Sequence, residues 1–141
     1  MNKYSIAQLK TRCCERAAYV LKGNYEEDSG VHSRIFEVLI PDNYVITGES
    51  LAGKGYREHI VPCAFIRDEC MKMYGDDAEI KDVAEAIEHH LKIILITKEE
   101  ASFLDYEKGL KTSMPSGWVF NKSDVYARLH EANIKFREYD L

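Results

Sequence analysis

The sequence predicts a single α+β domain in which helices pack on short strands. Apolar residues change along the chain from helical spacing to the short continuous or alternating runs that are typical of strands. Turns rich in glycine, proline and asparagine separate these segments. The chain has 141 residues, a length that suits one domain with one sizeable core. We therefore expect residues 1–141 to form a single domain.

Capping boxes predict where two of the helices begin. Ser5 to Gln8 opens a helix that should end at Gly23-Asn24, and Thr97 to Glu100 opens a second one. Pro62 fits the first position of a third helix. Apolar spacing predicts two more helices, over residues 78–90 and 124–132.

Strands are expected where β-branched and apolar residues cluster. Residues 34–40 and 44–47 flank the turn Pro41-Asp42-Asn43, and a β-hairpin should end near His59. The run Ile93 to Ile96 predicts a buried strand, and alternation at residues 134–136 predicts a terminal one. The inward positions of the helices and strands form the expected core: Ile80, Val83, Ile87, Leu91, Ile94, Ile96 and Leu104.

A cluster of large side chains in a turn-rich segment has two interpretations. Met114, Pro115, Trp118, Val119 and Phe120 either fold back onto the core or form an exposed contact patch. In the second case tryptophan would be a typical interface anchor, and we would expect a dimer or a protein complex. Folding back is the favoured interpretation.

Charge and composition narrow the classes of function. The net charge of -5 argues against a strong electrostatic grip on nucleic acid and favours a protein partner. No apolar run approaches the length of a membrane span, and the N-terminus lacks the apolar segment of a signal peptide. We therefore expect a cytoplasmic protein without a membrane partner. The four cysteines contain no Cys-x-x-Cys pair, so reduced and mostly buried thiols are expected.

The motif Glu58-His59-Ile60-Val61-Pro62 follows a glycine-rich loop and precedes a predicted helix. It resembles the first half of the HNH (ββα-metal) endonuclease motif of phage and bacterial type. The resemblance covers about residues 56–110 and implies a ββα-metal-like core within the α+β domain. It also implies a DNA-cleaving nuclease in which Glu58 binds a divalent metal and His59 is the general base. Arg57 would contact a phosphate beside the site.

The second half of the motif is incomplete in this chain. The family places an asparagine on a later strand and a second metal-binding histidine on the helix that follows. Here no asparagine stands on the strand, His90 lies near that place, and Glu100 or Ala101 occupies the position of the final histidine. We therefore expect Glu58, Glu100 and His90 as metal ligands, with Mg²⁺ or Mn²⁺ favoured over Zn²⁺. A zinc site would instead use His59 with His89 or His90.

Each of these residues also has a purely structural interpretation. Glu100 is the third residue of a capping box, and His89 and His90 end a helix whose dipole favours histidine. Arg57 and Glu58 are also typical of solvated surface residues. The alternative function is therefore a non-catalytic, acidic interaction protein on a nuclease-like scaffold. It would bind or inhibit a protein partner such as a nuclease or a defence complex, through the acidic face at residues 79–88.

Overall fold

A computed structural model describes residues 3–140, and in it helices surround a small mixed sheet. Helix α1 spans Ile6–Glu26 and the short helix α2 spans Ile35–Leu39; a 3₁₀ turn, Asp42–Tyr44, leads to the first strand. The strands are β1 (Ile46–Ser50), β2 (Tyr56–His59), β3 (Ile93–Ile96) and β4 (Phe136–Glu138). The remaining helices are α3 (Cys63–Gly75), α4 (Ile80–His90), α5 (Lys98–Ser102) and α6 (Ala127–Glu131). A π-helical turn over Phe103–Glu107 extends α5. The predicted α+β class is confirmed.

The sheet has the strand order β2-β3-β1-β4. Strand β3 pairs in parallel with β1 and antiparallel with β2, and β4 pairs antiparallel with β1. The expected hairpin ending near His59 is therefore wrong, because β3 lies between β1 and β2. The physical reason is the apolar run itself: Ile93, Ile94 and Ile96 are fully buried, which suits an interior strand covered on both faces.

The prediction of a strand over residues 34–40 is also wrong, because this segment forms helix α2 and its caps. Phe36 and Ile40 are both buried, and a spacing of four residues places them on one face of a helix. The β-branched composition of this segment favoured a strand, but packing of this one face prevailed. The helix turns Glu37 away from the core, into an exposed position.

Helix α1 begins where its capping box predicts and continues past the predicted stop. Ser5 Oγ accepts a hydrogen bond from Gln8 N at 3.1 Å, and Gln8 Oε1 accepts one from Ser5 N at 2.8 Å. The helix runs through Gly23 to Glu26, and Glu27 N donates to Gly23 O at 3.0 Å. Small buried residues on its inner face, Cys14, Ala17 and Ala18, allow close packing against its neighbours, chiefly α4.

The predicted core is confirmed, with Ile80 as the one partly buried member among its residues. The other six are buried: Val83, Ile87, Leu91, Ile94, Ile96 and Leu104. Most of the cluster around Trp118 folds back onto this core: the Trp118 indole packs edge-on against Phe65 and its Nε1 donates to Asp124 O at 2.7 Å, whereas Val119 is 49 % exposed. Among residues 3–140, no helix is long and apolar enough to cross a bilayer.

Truncation of a core side chain tests this arrangement. Ile87 is fully buried in α4, so we expect Ile87→Ala to lower the free energy of unfolding by roughly 2–5 kcal/mol in chemical denaturation. Val38 is 75 % exposed on α2, and Val38→Ala serves as the control with a change within about 0.5 kcal/mol. A loss below about 1 kcal/mol for Ile87→Ala would contradict the core described above.

Candidate functional site

The end of β2 and the start of α3 form one wall of a cavity of about 250 Å³. Strand β2 ends at His59, and Ile60 N donates to Lys92 O at 3.0 Å, beyond the last strand pair. Ile60 and Val61 are fully buried and fix the turn into the helix. Charged and polar side chains from five parts of the chain line the cavity: Ser33, Glu37, Glu58, His59, Cys63, Lys111, Thr112 and Arg128.

Arg128 lies beneath this cavity as a buried cation, only 1 % exposed. Its Nε and Nη2 donate to Leu110 O at 2.8 and 2.6 Å, and its Nη1 donates to His59 O at 2.7 Å and to Ile60 O at 3.4 Å. The guanidinium therefore joins α6 to the end of β2 and to the segment after α5. A planar fork of donors suits this arrangement, which a lysine could not reproduce.

Glu58 is the buried acid of the cavity, with 9 % of its surface exposed. Its Oε2 lies 3.8 Å from Arg128 Nη1, too far for a hydrogen bond, and its Oε1 has no hydrogen-bond partner. Burial raises the pKa of Glu58 to about 7; the positive charge of Arg128 opposes the rise and the negative charge of Asp105 adds to it. Burial prevails because the donors of Arg128 are engaged by backbone carbonyls.

His59 faces a different pair of side chains, Glu37 from α2 and Cys63 from the first turn of α3. One nitrogen of His59, one carboxylate oxygen of Glu37 and the Cys63 sulfur all lie within 4.8 Å of one another. Burial lowers the pKa of His59 and raises the pKa of Cys63 to about 12, the latter with help from the charges of Glu37 and Asp42. Burial therefore favours the neutral forms of both the imidazole and the thiol.

The structure does not bring Glu100 to this cavity. Its Oε1 accepts a hydrogen bond from Thr97 N at 2.9 Å, which completes the predicted capping box, and its Oε2 accepts one from Ser50 Oγ at 2.9 Å. Both carboxylate oxygens are thus engaged in structural contacts. The prediction of Glu100 as a metal ligand has no support in this geometry, and the structural interpretation fits it.

His90 also lies away from the cavity, in the core. Its Nδ1 is 2.8 Å from Ala86 O, its Nε2 accepts from Asn121 N at 3.2 Å, and its ring stacks on Phe120 with centroids 4.0 Å apart. Neither nitrogen is available to a metal. Burial, with the nearby His89 and Lys92, lowers the pKa of His90 to about 4, so this ring is a neutral structural element.

Arg57 lies outside the cavity lining and forms an exposed ion pair. Its Nη1 lies 2.9 Å from Asp42 Oδ2, and its side chain is 64 % exposed. Arg57 is not among the residues that line the cavity. Its position therefore does not support the predicted contact with a phosphate. Lys111, which is exposed at the cavity rim, is the cation placed to attract a phosphate.

Four residues that line the cavity are not among the predicted site residues: Glu37, Cys63, Lys111 and Arg128. Cys63 had a usable signal, because it stands four residues after His59 and a turn into a helix brings such residues together. Glu37 lay in a segment that was predicted as a strand, and only α2 gives it its position. Nothing in the sequence around Arg128 indicates a buried guanidinium.

No family model, no curated protein and no solved structure matches this chain. Conclusions about function therefore rest on the geometry and chemistry of the cavity.

The environment of His90 makes folding sensitive to acid. An unfolded chain protonates this ring near pH 6.5, whereas the folded chain resists protonation until about pH 4. We therefore expect its stabilising contribution to be complete above pH 6.5 and to fall by at most roughly 3 kcal/mol as the pH drops to 4. The measurement is urea denaturation of the natural protein and of His90→Gln across pH 4–8. A stability difference between the two that does not change with pH would refute this expectation.

Removal of Arg128 should cost far more stability than removal of Arg57. Arg128→Ala leaves the carbonyl oxygens of Leu110 and His59 without their donor, so we expect a loss of about 3–5 kcal/mol in chemical denaturation. Arg57→Ala breaks an exposed ion pair and should cost less than about 1 kcal/mol. Equal losses in the two variants would show that the buried guanidinium is not a structural anchor.

Proposed function

We propose that this protein is a metal-dependent phosphodiesterase that cleaves DNA at the cavity formed by Glu58 and His59. The observation that carries the proposal is the unpartnered, buried Oε1 of Glu58, a residue that lines the cavity together with metal-ligating side chains and a lysine. Buried polar atoms without partners are rare and call for an explanation. Our explanation is that Oε1 of Glu58 is kept free to accept a hydrogen bond from an incoming water molecule.

The geometry suggests that the roles implied by the HNH resemblance are exchanged. Glu58 has a free oxygen to accept the proton of an attacking water, whereas His59 lies next to Glu37 and Cys63 and is suited to bind a cation. A divalent cation would make water a better nucleophile at neutral pH and offset charge on the leaving oxygen. Arg128 would hold the Glu58 side of the cavity in place through its contact with His59 O.

The expected ligand sets do not fit this cavity. An oxygen-only magnesium site made from Glu58 and Glu100 fails because Glu100 is engaged by Thr97 and Ser50. A zinc site made from His59 and His90 fails because both nitrogens of His90 have partners. Among the described residues, the cation donors of the cavity are Glu37, Glu58, His59 and Cys63.

Substrate attraction would depend on few positive charges. Lys111 at the rim is the exposed cation of the cavity lining, and the whole chain carries a net charge of -5. A protein that neutralises few phosphates binds nucleic acid weakly and loses little affinity when salt is added. This charge distribution favours a local contact with one phosphodiester over a long DNA-binding surface.

A plasmid-nicking assay tests the proposal. We expect the natural protein to nick supercoiled plasmid with Zn²⁺, Mn²⁺ or Mg²⁺, and Glu58→Gln to reduce the rate by about 100-fold or more because the proton acceptor is lost. His59→Ala should abolish nicking. Glu85→Gln, an exposed residue on α4, is the matched control and should retain the natural rate.

Absence of nicking by the natural protein with all three metals would refute this function. The alternative of an acidic interaction protein would then take precedence, since Glu79, Asp82 and Glu85 on α4 are exposed. Glu88 belongs less to that surface, because its Oε1 accepts a hydrogen bond from Thr11 at 2.8 Å. Charge reversal at Glu79, Asp82 and Glu85 would be the first change to test in that case.

A further inference from the structure

Three side chains of different chemistry converge at one edge of the cavity. Glu37 comes from α2, His59 ends β2 and Cys63 opens α3, and one donor atom of each lies within 4.8 Å of the other two. None of these three side chains forms a hydrogen bond or ion pair with the described residues. We propose that Glu37, His59 and Cys63 form a zinc site with one open coordination position that faces the cavity.

The donor set selects the metal. A thiolate and an imidazole are ligands that Zn²⁺ accepts readily, together with a carboxylate, whereas Mg²⁺ and Ca²⁺ require oxygen. Donor atoms around a tetrahedral zinc lie about 3.3–3.8 Å apart, given metal–ligand bonds of about 2.0–2.3 Å. The three donors lie within 4.8 Å of one another, so they need to approach by at most about 1.5 Å to reach this geometry. Glu37 can supply most of this movement, since its side chain is exposed.

Three protein ligands leave the fourth position of a tetrahedral zinc open, as in catalytic zinc sites. Here that position would face the same cavity as Glu58, which is 9 % exposed and has the unpartnered Oε1. This buried oxygen is an independent observation, because Glu58 is not one of the three ligands. A water molecule held between the cation and Glu58 would satisfy that oxygen and explain why the protein provides no partner for it.

The site also accounts for the distinct position of Cys63 among the cysteines. Cys13, Cys14 and Cys70 are buried, whereas Cys63 is half-buried and lines the cavity. A thiol at the first turn of a helix, beside a neutral imidazole, can reach a cation that enters from the cavity. The proposal of zinc binding rests on the positions of these three side chains; its use in hydrolysis rests on the proposed function.

Zinc binding is measured directly on the full chain after treatment with a chelator. We expect one Zn²⁺ per chain in competition with a colorimetric chelator, and a sulfur-to-cobalt charge-transfer band when Co²⁺ replaces zinc. Cys63→Ser should remove the cobalt band, and Cys63→Ser and Glu37→Gln should each weaken zinc binding by about 100-fold or more, since even residues that only support a ligand change affinity by 10- to 100-fold.

Matched controls are Cys13→Ser and Glu85→Gln, which replace the same residue types away from the cavity and should keep both the affinity and the cobalt band. Circular dichroism of every variant separates loss of the site from loss of the fold. Absence of zinc binding by the natural protein would overturn the inference. Full zinc affinity in folded Cys63→Ser or Glu37→Gln would overturn it as well.

Different experimental results would refute the zinc site and the proposed function. One zinc held by these three residues, without plasmid nicking under any condition, supports the site and refutes the phosphodiesterase. Nicking with Mg²⁺ that persists in Cys63→Ser and Glu37→Gln, together with absence of zinc binding by the natural protein, supports the phosphodiesterase and overturns the zinc site. Loss of both zinc binding and nicking in these two folded variants supports both.

Discussion

The buried guanidinium of Arg128 is the interaction on which the geometry of the cavity depends. One side chain binds the carbonyl oxygens of Leu110, His59 and Ile60, which come from segments far apart in the sequence. A buried cation is tolerated only when its donors are satisfied, so these backbone segments are constrained to meet at one point. Gly109, with a φ of 64°, allows the turn that directs the carbonyl of Leu110 to this point.

The same interaction explains the unusual state of Glu58. A carboxylate beside an arginine normally has a lowered pKa because the opposite charge favours ionisation. Here the guanidinium is already bound by carbonyl oxygens and stays 3.8 Å away from the acid, so burial dominates and the pKa rises to about 7. The arginine thus serves mainly as a backbone anchor, and the acid keeps a buried oxygen without a hydrogen-bond partner.

Much of the fold could be predicted from the sequence, whereas the set of residues around the cavity could not. Local signals were sufficient for the capping boxes at Ser5 and Thr97, for the helix after Pro62 and for the buried strand at Ile93 to Ile96, because propensity and packing agree there. They failed at residues 34–40, where burial of Phe36 and Ile40 on one face outweighed β-branched composition. Strand order depends on contacts between distant segments, so the hairpin prediction failed as well, because β3 lies between β1 and β2.

The motif from Glu58 to Pro62 connects strand β2 to helix α3, and its first two residues carry the ionisable side chains. Ile60 and Val61 are fully buried and Pro62 is the N-cap of α3, so these three residues fix the angle between the strand and the helix. Glu58 and His59 stand just before this connection. Backbone contacts hold them at the cavity, because their side chains form no hydrogen bonds with the described residues. Side chains without hydrogen-bond partners are available to bind a ligand. Under the proposed function, the metal ligands come from segments far apart in the sequence, and α2 supplies Glu37 within 4.8 Å of donor atoms of His59 and Cys63.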